Sequence, residues 1–124
     1  MARVNSGEGR TENMGATIFI GSDRVGSGDD ELGAVLMRSA VKTLGALDPL
    51  PDTFLFMNTG VRVCCEGSDV LDALRELESR GVEILCCGTC LDWFHLRDVL
   101  AVGRPSNMLE ILSRQNSAEH LIRL

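Results

Sequence analysis

Residues 68–90 read SDVLDALRELESRGVEILCCGTC, and this stretch decides the fold. Val70, Leu71, Leu74 and Leu77 recur at helical spacing, so one face of a helix is apolar. Ser68 stands ahead of them as a cap. Gly81 follows the last periodic residue, where a left-handed residue ends a helix. Val82 to Cys86 then reads as a third strand. Gly88 breaks that strand inside the motif Cys87-Gly88-Thr89-Cys90, and a short helix over 91–96 follows.

The same alternation recurs outward from this stretch. Thr17-Ile18-Phe19-Ile20 is a first strand, followed by the polar loop Gly21 to Gly28. A helix then begins near Asp29, with Leu32, Val35, Leu36, Ser39, Ala40, Thr43, Leu44 and Leu47 at helical spacing. Asp29, Asp30 and Glu31 occupy its first turn, where carboxylates suit the positive end of the helix dipole. Pro49 and Pro51 stop it. Thr53 to Met57 is a second strand ending at Asn58-Thr59-Gly60, and residues 61–65 read as extended. Past the central stretch, 99–102 is a fourth strand, 106–115 a fourth helix and 120–124 a last short strand. Strands alternating with helices predict right-handed crossovers. The expected fold is a three-layer α/β/α domain over residues 15–124, with a mainly parallel sheet of about five strands. Residues 1–14 are polar and rich in glycine and charge, as in a disordered tail or linker remnant.

The chain has 124 residues, room for one domain. Its 12 basic and 18 acidic residues give a net charge of −6, without the clustered basic face that nucleic acids or anionic lipid surfaces select. No apolar run approaches the roughly 20 residues that span a bilayer. With no hydrophobic leader among residues 1–14, a cytoplasmic setting is expected.

In open parallel sheets, ligands gather beyond the carboxyl ends of the strands. Three such ends are readable: Ser22 to Gly28 after the first strand, Asn58 to Gly60 after the second, and Cys87 to Cys90 after the third. Topology alone brings them to one rim. The five cysteines, Cys64, Cys65, Cys86, Cys87 and Cys90, are an odd set in a chain without an export signal, which argues against a disulfide framework. A CxxC turn brings two sulfurs within reach of a disulfide or a metal. Structural zinc takes two such knuckles and this chain has one, so no metal or cofactor is expected. Cys64, Cys65 and Cys86 read as small core residues. Cys87, at the strand end, is expected to project into the rim with little cover and to react first. Cys90 gains from the start of the next helix, leans toward the core, and suits a resolving role.

Gly26-Ser27-Gly28 does not complete a GxGxxG or a P-loop, and three carboxylates follow it. The loop is read instead as shaped for a substrate or partner beside the thiols, with Arg24 as an anion anchor and Asn58, Gly60 and Thr89 lining the same rim. His95 is a surface histidine, His120 carries no signal, and Trp93 and Phe94 are core or interface residues.

The segments SDRVGSGDDELG, LDPLPDTFLFMNTGV, EGSDVLDALRELESRGVEIL, CCGTCLDWF and AVGRPSNM occur in this order from Gly21 onward. Together they resemble the YedF family, sulfurtransferase-like proteins linked to selenium metabolism, in its C-terminal DsrE/DsrF-like domain. The resemblance covers about Gly15 to the end. It implies a DsrE-like fold, a tendency to oligomerise, and handling of sulfur or selenium through a cysteine, with Cys87 at the carrier position and Cys90 matching the family's second cysteine. The apolar stretch Leu121-Ile122-Arg123-Leu124, an edge strand to protect, leads to the expectation of a homo-oligomer, a dimer or trimer. Full-length members resemble a fusion with a preceding TusA-like sulfur-carrier domain, which implies a TusA-like domain or protein as partner. Beside a persulfide carrier stand two other readings: a thiol–disulfide redox protein using Cys87 and Cys90, and a non-catalytic oligomeric module.

Overall fold

A computed structural model describes residues 15–124; the expectation for residues 1–14 lies outside the described residues. Five strands form one all-parallel sheet: β1 (Ala16–Ile20), β2 (Thr53–Phe56), β3 (Glu83–Cys87), β4 (Arg104–Ser106) and β5 (His120–Arg123), in the spatial order β4-β3-β2-β1-β5. The chain steps one way from β1 to β4, so right-handed crossovers place α1 (Asp30–Leu44), α2 (Leu71–Ser79) and α3 (Gly88–Trp93) on one face. The return from β4 to the far edge carries α4 (Met108–Ser117) over the other. The expected α/β/α architecture is therefore present.

The sheet is central because its inner strands β2 and β3 are apolar on both sides. Phe54, Leu55 and Phe56 in β2, and Ile84, Leu85 and Cys86 in β3, are all buried. Leu74 and Leu77 of α2 join them, as the periodicity of 70–77 requires. Each such side chain contributes about 1.5–3 kcal/mol relative to exposure. Gly81 takes the left-handed conformation expected of it (φ 98°).

Four local expectations are corrected. In α1 the buried face is Gly33, Met37, Val41 and Leu44, while Leu32, Val35, Leu36 and Leu47 are exposed. Both stripes have helical spacing. The helix docks on the one bearing Gly33, where a β-carbon would come within 2.8 Å of the Arg24 β-carbon. Second, residues 61–65 are not extended, because Asn58–Cys64 forms a 3-10 helix. Side chains three apart eclipse in that helix, so Val61 and Cys64 both enter the core.

Third, the apolar run 99–102 is not the fourth strand. Its backbone is used against the 3-10 segment, with the Ala101 and Val102 N–H groups donating to the Cys64 carbonyl at 2.9 and 3.2 Å. The strand falls later, at Arg104–Ser106, where Pro105 is tolerated because β4 is an edge. Fourth, Ser68 does not cap α2; its hydroxyl accepts only from the Val70 N–H, at 3.3 Å, ahead of the helix. The remaining helices shift by two or three residues: α3 starts at Gly88 itself, and α4 starts after Asn107, whose side chain accepts from the Glu110 N–H at 2.8 Å.

Candidate functional site

The carboxyl ends of β1, β2 and β3 meet as the topology requires, and backbone contacts lock them together. Asn58, just past β2, is in the left-handed region (φ 54°), which asparagine tolerates better than most residues. Its side-chain oxygen accepts from the Thr59 N–H at 2.8 Å, holding that turn. Gly60 follows because nothing larger fits: a β-carbon there would sit 2.4 Å from the Ile20 carbonyl oxygen at the end of β1. The Asp23 N–H donates to the Thr59 hydroxyl at 3.2 Å, tying the first loop to the second.

The third loop joins through sulfur. The Asn58 N–H donates to Cys90 Sγ at 3.1 Å, and Cys87, three residues earlier in the same turn, is near enough to act on the Cys90 thiol. Burial raises the Cys90 pKa; the Asn58 N–H lowers it by favouring the anion, and Cys87 raises it again. The start of a helix was expected to lower a thiol pKa here, and desolvation outweighs it. All five cysteines are free thiols, and Cys90 alone is not buried.

That last fact corrects the expected exposures. Cys87 is 3% exposed and has more cover than predicted. It closes β3 and stands immediately before α3, between the sheet and its own helix. Cys90, expected to lean inward, is the half-exposed one. Cys64, Cys65 and Cys86 are packed into the core. Burial and a hydrogen bond with Cys86 raise the Cys64 pKa, and burial first of all lifts Cys65 to about 11. Cys64 and Cys65 are thereby held as neutral thiols.

Asn58, Gly60, Cys87 and Cys90 are thus brought together, with exposed Thr89 in the turn between the cysteines. Arg24, Gly26, Ser27 and Gly28 belong to a different part of the loop. Arg24 packs under Gly33 and lies 3.9 Å from Asp23, and the Val25 N–H donates to the Gly33 carbonyl, so this segment is anchored to α1. Gly26, Ser27 and Gly28 are exposed.

Two arginines escaped the sequence reading. Arg97 donates to both oxygens of Asp92, at 2.7 and 3.1 Å, and to the Gly88 carbonyl at 3.3 Å, clasping the middle of the CxxC turn. That bond also lowers the Asp92 pKa. Arg62 lies 4.5 Å from the centre of the Phe94 ring and 4.0 Å from Asp23, bridging the first loop to the end of α3. An arginine five residues after an aspartate is a weak signal, and the Arg62 partners are distant in sequence. Trp93 is 77% exposed, which removes the core reading and leaves the interface one. Among the described residues, no three His, Cys, Asp or Glu side chains cluster so as to hold a metal ion, and no helix is long and apolar enough to cross a membrane.

Comparison with known proteins places the architecture. The chain is similar to the ychN protein of E. coli, at 15% identity and a TM-score of 0.68 over 88% of this chain and 97% of that one. It is similar to a protein of unknown function, MTH1491, from Methanobacterium thermoautotrophicum, at 24% identity and a TM-score of 0.62 over 88% and 97%. A conserved protein of unknown function from Bacteroides thetaiotaomicron, BT1422, matches at 11% identity and a TM-score of 0.59 over 89% and 95%. The fold is the DsrE-like α/β fold. No family model and no curated protein matches the chain.

Proposed function

We propose that the chain is a cysteine-based carrier that accepts sulfur, or selenium, on the Cys87/Cys90 pair and passes it to a partner. The observation that carries this reading is the pair itself: two free thiols in one CxxC turn, one of them accessible, at the strand ends where open parallel sheets do their chemistry. The YedF resemblance supplies the cargo, the selenium link and a cytoplasmic TusA-like carrier as the partner class. Transfer of a sulfane atom needs an accessible thiolate and a partner thiol, and no further machinery.

The CxxC spacing of the two thiols also favours a second reading, a thiol–disulfide couple. Mass spectrometry after incubation with a sulfane-sulfur donor separates them. A gain of one sulfur on a CxxC cysteine supports the carrier. A loss of two hydrogens supports the redox couple, and titratable thiols without an adduct support a binding module.

Self-association as a dimer or trimer belongs to the same proposal. Leu32, Val35 and Leu36 on α1 are exposed, and β5 is an edge strand carrying half-exposed Leu121 and Ile122. Covering such surface is what assembly does. Light scattering at micromolar concentration tests it, and a monomer mass refutes it.

A further inference from the structure

We propose that Cys90, not Cys87, is the thiol that meets the donor, and that the main-chain N–H of Asn58 is the group that holds its sulfur as an anion. The cargo rests on the carrier reading above; the order of the thiols and the role of Asn58 do not.

Access decides the order. A donor molecule must approach the attacking sulfur from solvent, and of the five cysteines only Cys90 is open to it, while Cys87 is covered to 3%. Electrostatics then decides what happens at that sulfur. An N–H aimed at sulfur is worth more when the sulfur is charged than when it is a neutral thiol. The Asn58 N–H, 3.1 Å from Cys90 Sγ, is presented by backbone that cannot easily turn away. Asn58 sits at positive φ, its side chain is occupied by the Thr59 N–H, and Gly60 is wedged against the Ile20 carbonyl. A donor fixed in advance costs no rearrangement when charge develops. Burial and the neighbouring Cys87 keep Cys90 protonated at rest, so the N–H acts against those two effects as the proton leaves.

In the loading step Cys90 gives its proton to solvent, and its thiolate attacks the outer sulfur of a low-molecular-weight persulfide. A sulfur–sulfur bond forms on Cys90, the donor's sulfur–sulfur bond breaks, and the donor leaves as a thiolate. The transferred sulfur keeps its oxidation state, so no oxidant or reductant enters.

The test begins with the native chain and a limiting amount of iodoacetamide, followed by peptide mapping. Cys90 takes the first label, while Cys64, Cys65 and Cys86 stay protected as an internal sign that the fold is intact. First labelling at Cys87 overturns the order. Asn58→Ala keeps the N–H but loosens the turn that aims it. Labelling of Cys90 at pH 7 then falls about tenfold and its pH profile moves up by about one unit, as one pKa unit of lost anion stabilisation requires. Asn58→Gly, at ease in the same backbone conformation, recovers most of the rate. Equal rates in all three chains overturn the role of Asn58. If Asn58→Ala exposes the core thiols, the comparison of wild type with Asn58→Gly stands in: a tenfold loss in the glycine variant counts against the proposal. Incubation with cysteine persulfide adds one sulfur to the wild type and none to Cys90→Ser. If no chain gains sulfur while Cys90 still alkylates first, the carrier reading fails and the thiol order stands.

Discussion

The two ends of β3 are held by different chemistry. At its start, Glu83 pairs with Arg114 and Arg104, and both arginines also reach Glu110 on α4. These are long side chains at the surface, able to readjust around a lost partner. At its finish, Cys86 and Cys87 end the strand among loops joined through main-chain atoms: Gly60 against Ile20, Asn58 against Cys90, Gly88 under Arg97. Main-chain contacts leave no such slack. The charged end fastens α4 to the sheet and tolerates change, whereas the thiol end is rigid at the place where the Cys90 sulfur meets solvent.

The hardest blow to that comparison is a single methyl group at the rigid end. Gly60→Ala sets a β-carbon 2.4 Å from the Ile20 carbonyl oxygen and 3.3 Å from the Ser22 nitrogen, all of it backbone. Overpacking of this kind costs about 3 kcal/mol. Urea denaturation of the variant should show that loss. A cost well under 1 kcal/mol would mean that the rim yields as easily as the charged end does.

The same contrast explains what could be read in the sequence. The strands β1, β2 and β3, the helix α2 and the shared rim were legible because apolar period and crossover handedness fix them. Cys90's exposure was not, because it depends on how a CxxC turn packs against a loop 32 residues away. The α1 face was missed for a related reason. Leu32, Val35 and Leu36 form the more apolar stripe, yet the close approach permitted by Gly33 selects Met37 and Val41 instead. The run at 99–102 looked like a strand on composition, and only its bonds to Cys64 reveal that it covers the 3-10 segment. Arg97 carried only the weak signal of its spacing from Asp92, since its value lies in touching Gly88.

Arg97 provides the intermediate case, a surface side chain that serves the rigid end. Arg97→Gln removes the bidentate pair with Asp92 and the bond to the Gly88 carbonyl. Because Arg97 is exposed, the urea midpoint should move little. The rate of Cys90 alkylation should change several-fold, since the turn between the thiols loses its clasp. A large stability loss with unchanged thiol kinetics would assign Arg97 to the scaffold and not to the site.

The smallest effect belongs to the charged end, and its signature is pH. Hydrogen bonds from Arg104 and then from Ser106 pull the Glu110 pKa from its ordinary 4.5 down to about 2. A carboxylate depressed by folding stabilises the native state above its unfolded pKa, and that contribution disappears as the native state takes up the proton. The wild type should therefore lose stability as the pH falls from about 4.5 to about 2. Glu110→Gln lacks that titration. It should be slightly less stable than wild type at pH 7, with a gap that narrows through the same window and also narrows in high salt, because these are surface charges. Urea midpoints at pH 7, pH 4 and pH 2.5, with and without salt, measure it. A gap that stays constant with pH would show that Glu110 acts through packing or neutral hydrogen bonding. The charged end would then resemble the thiol end, held by shape, and the contrast between the two ends of β3 would be lost.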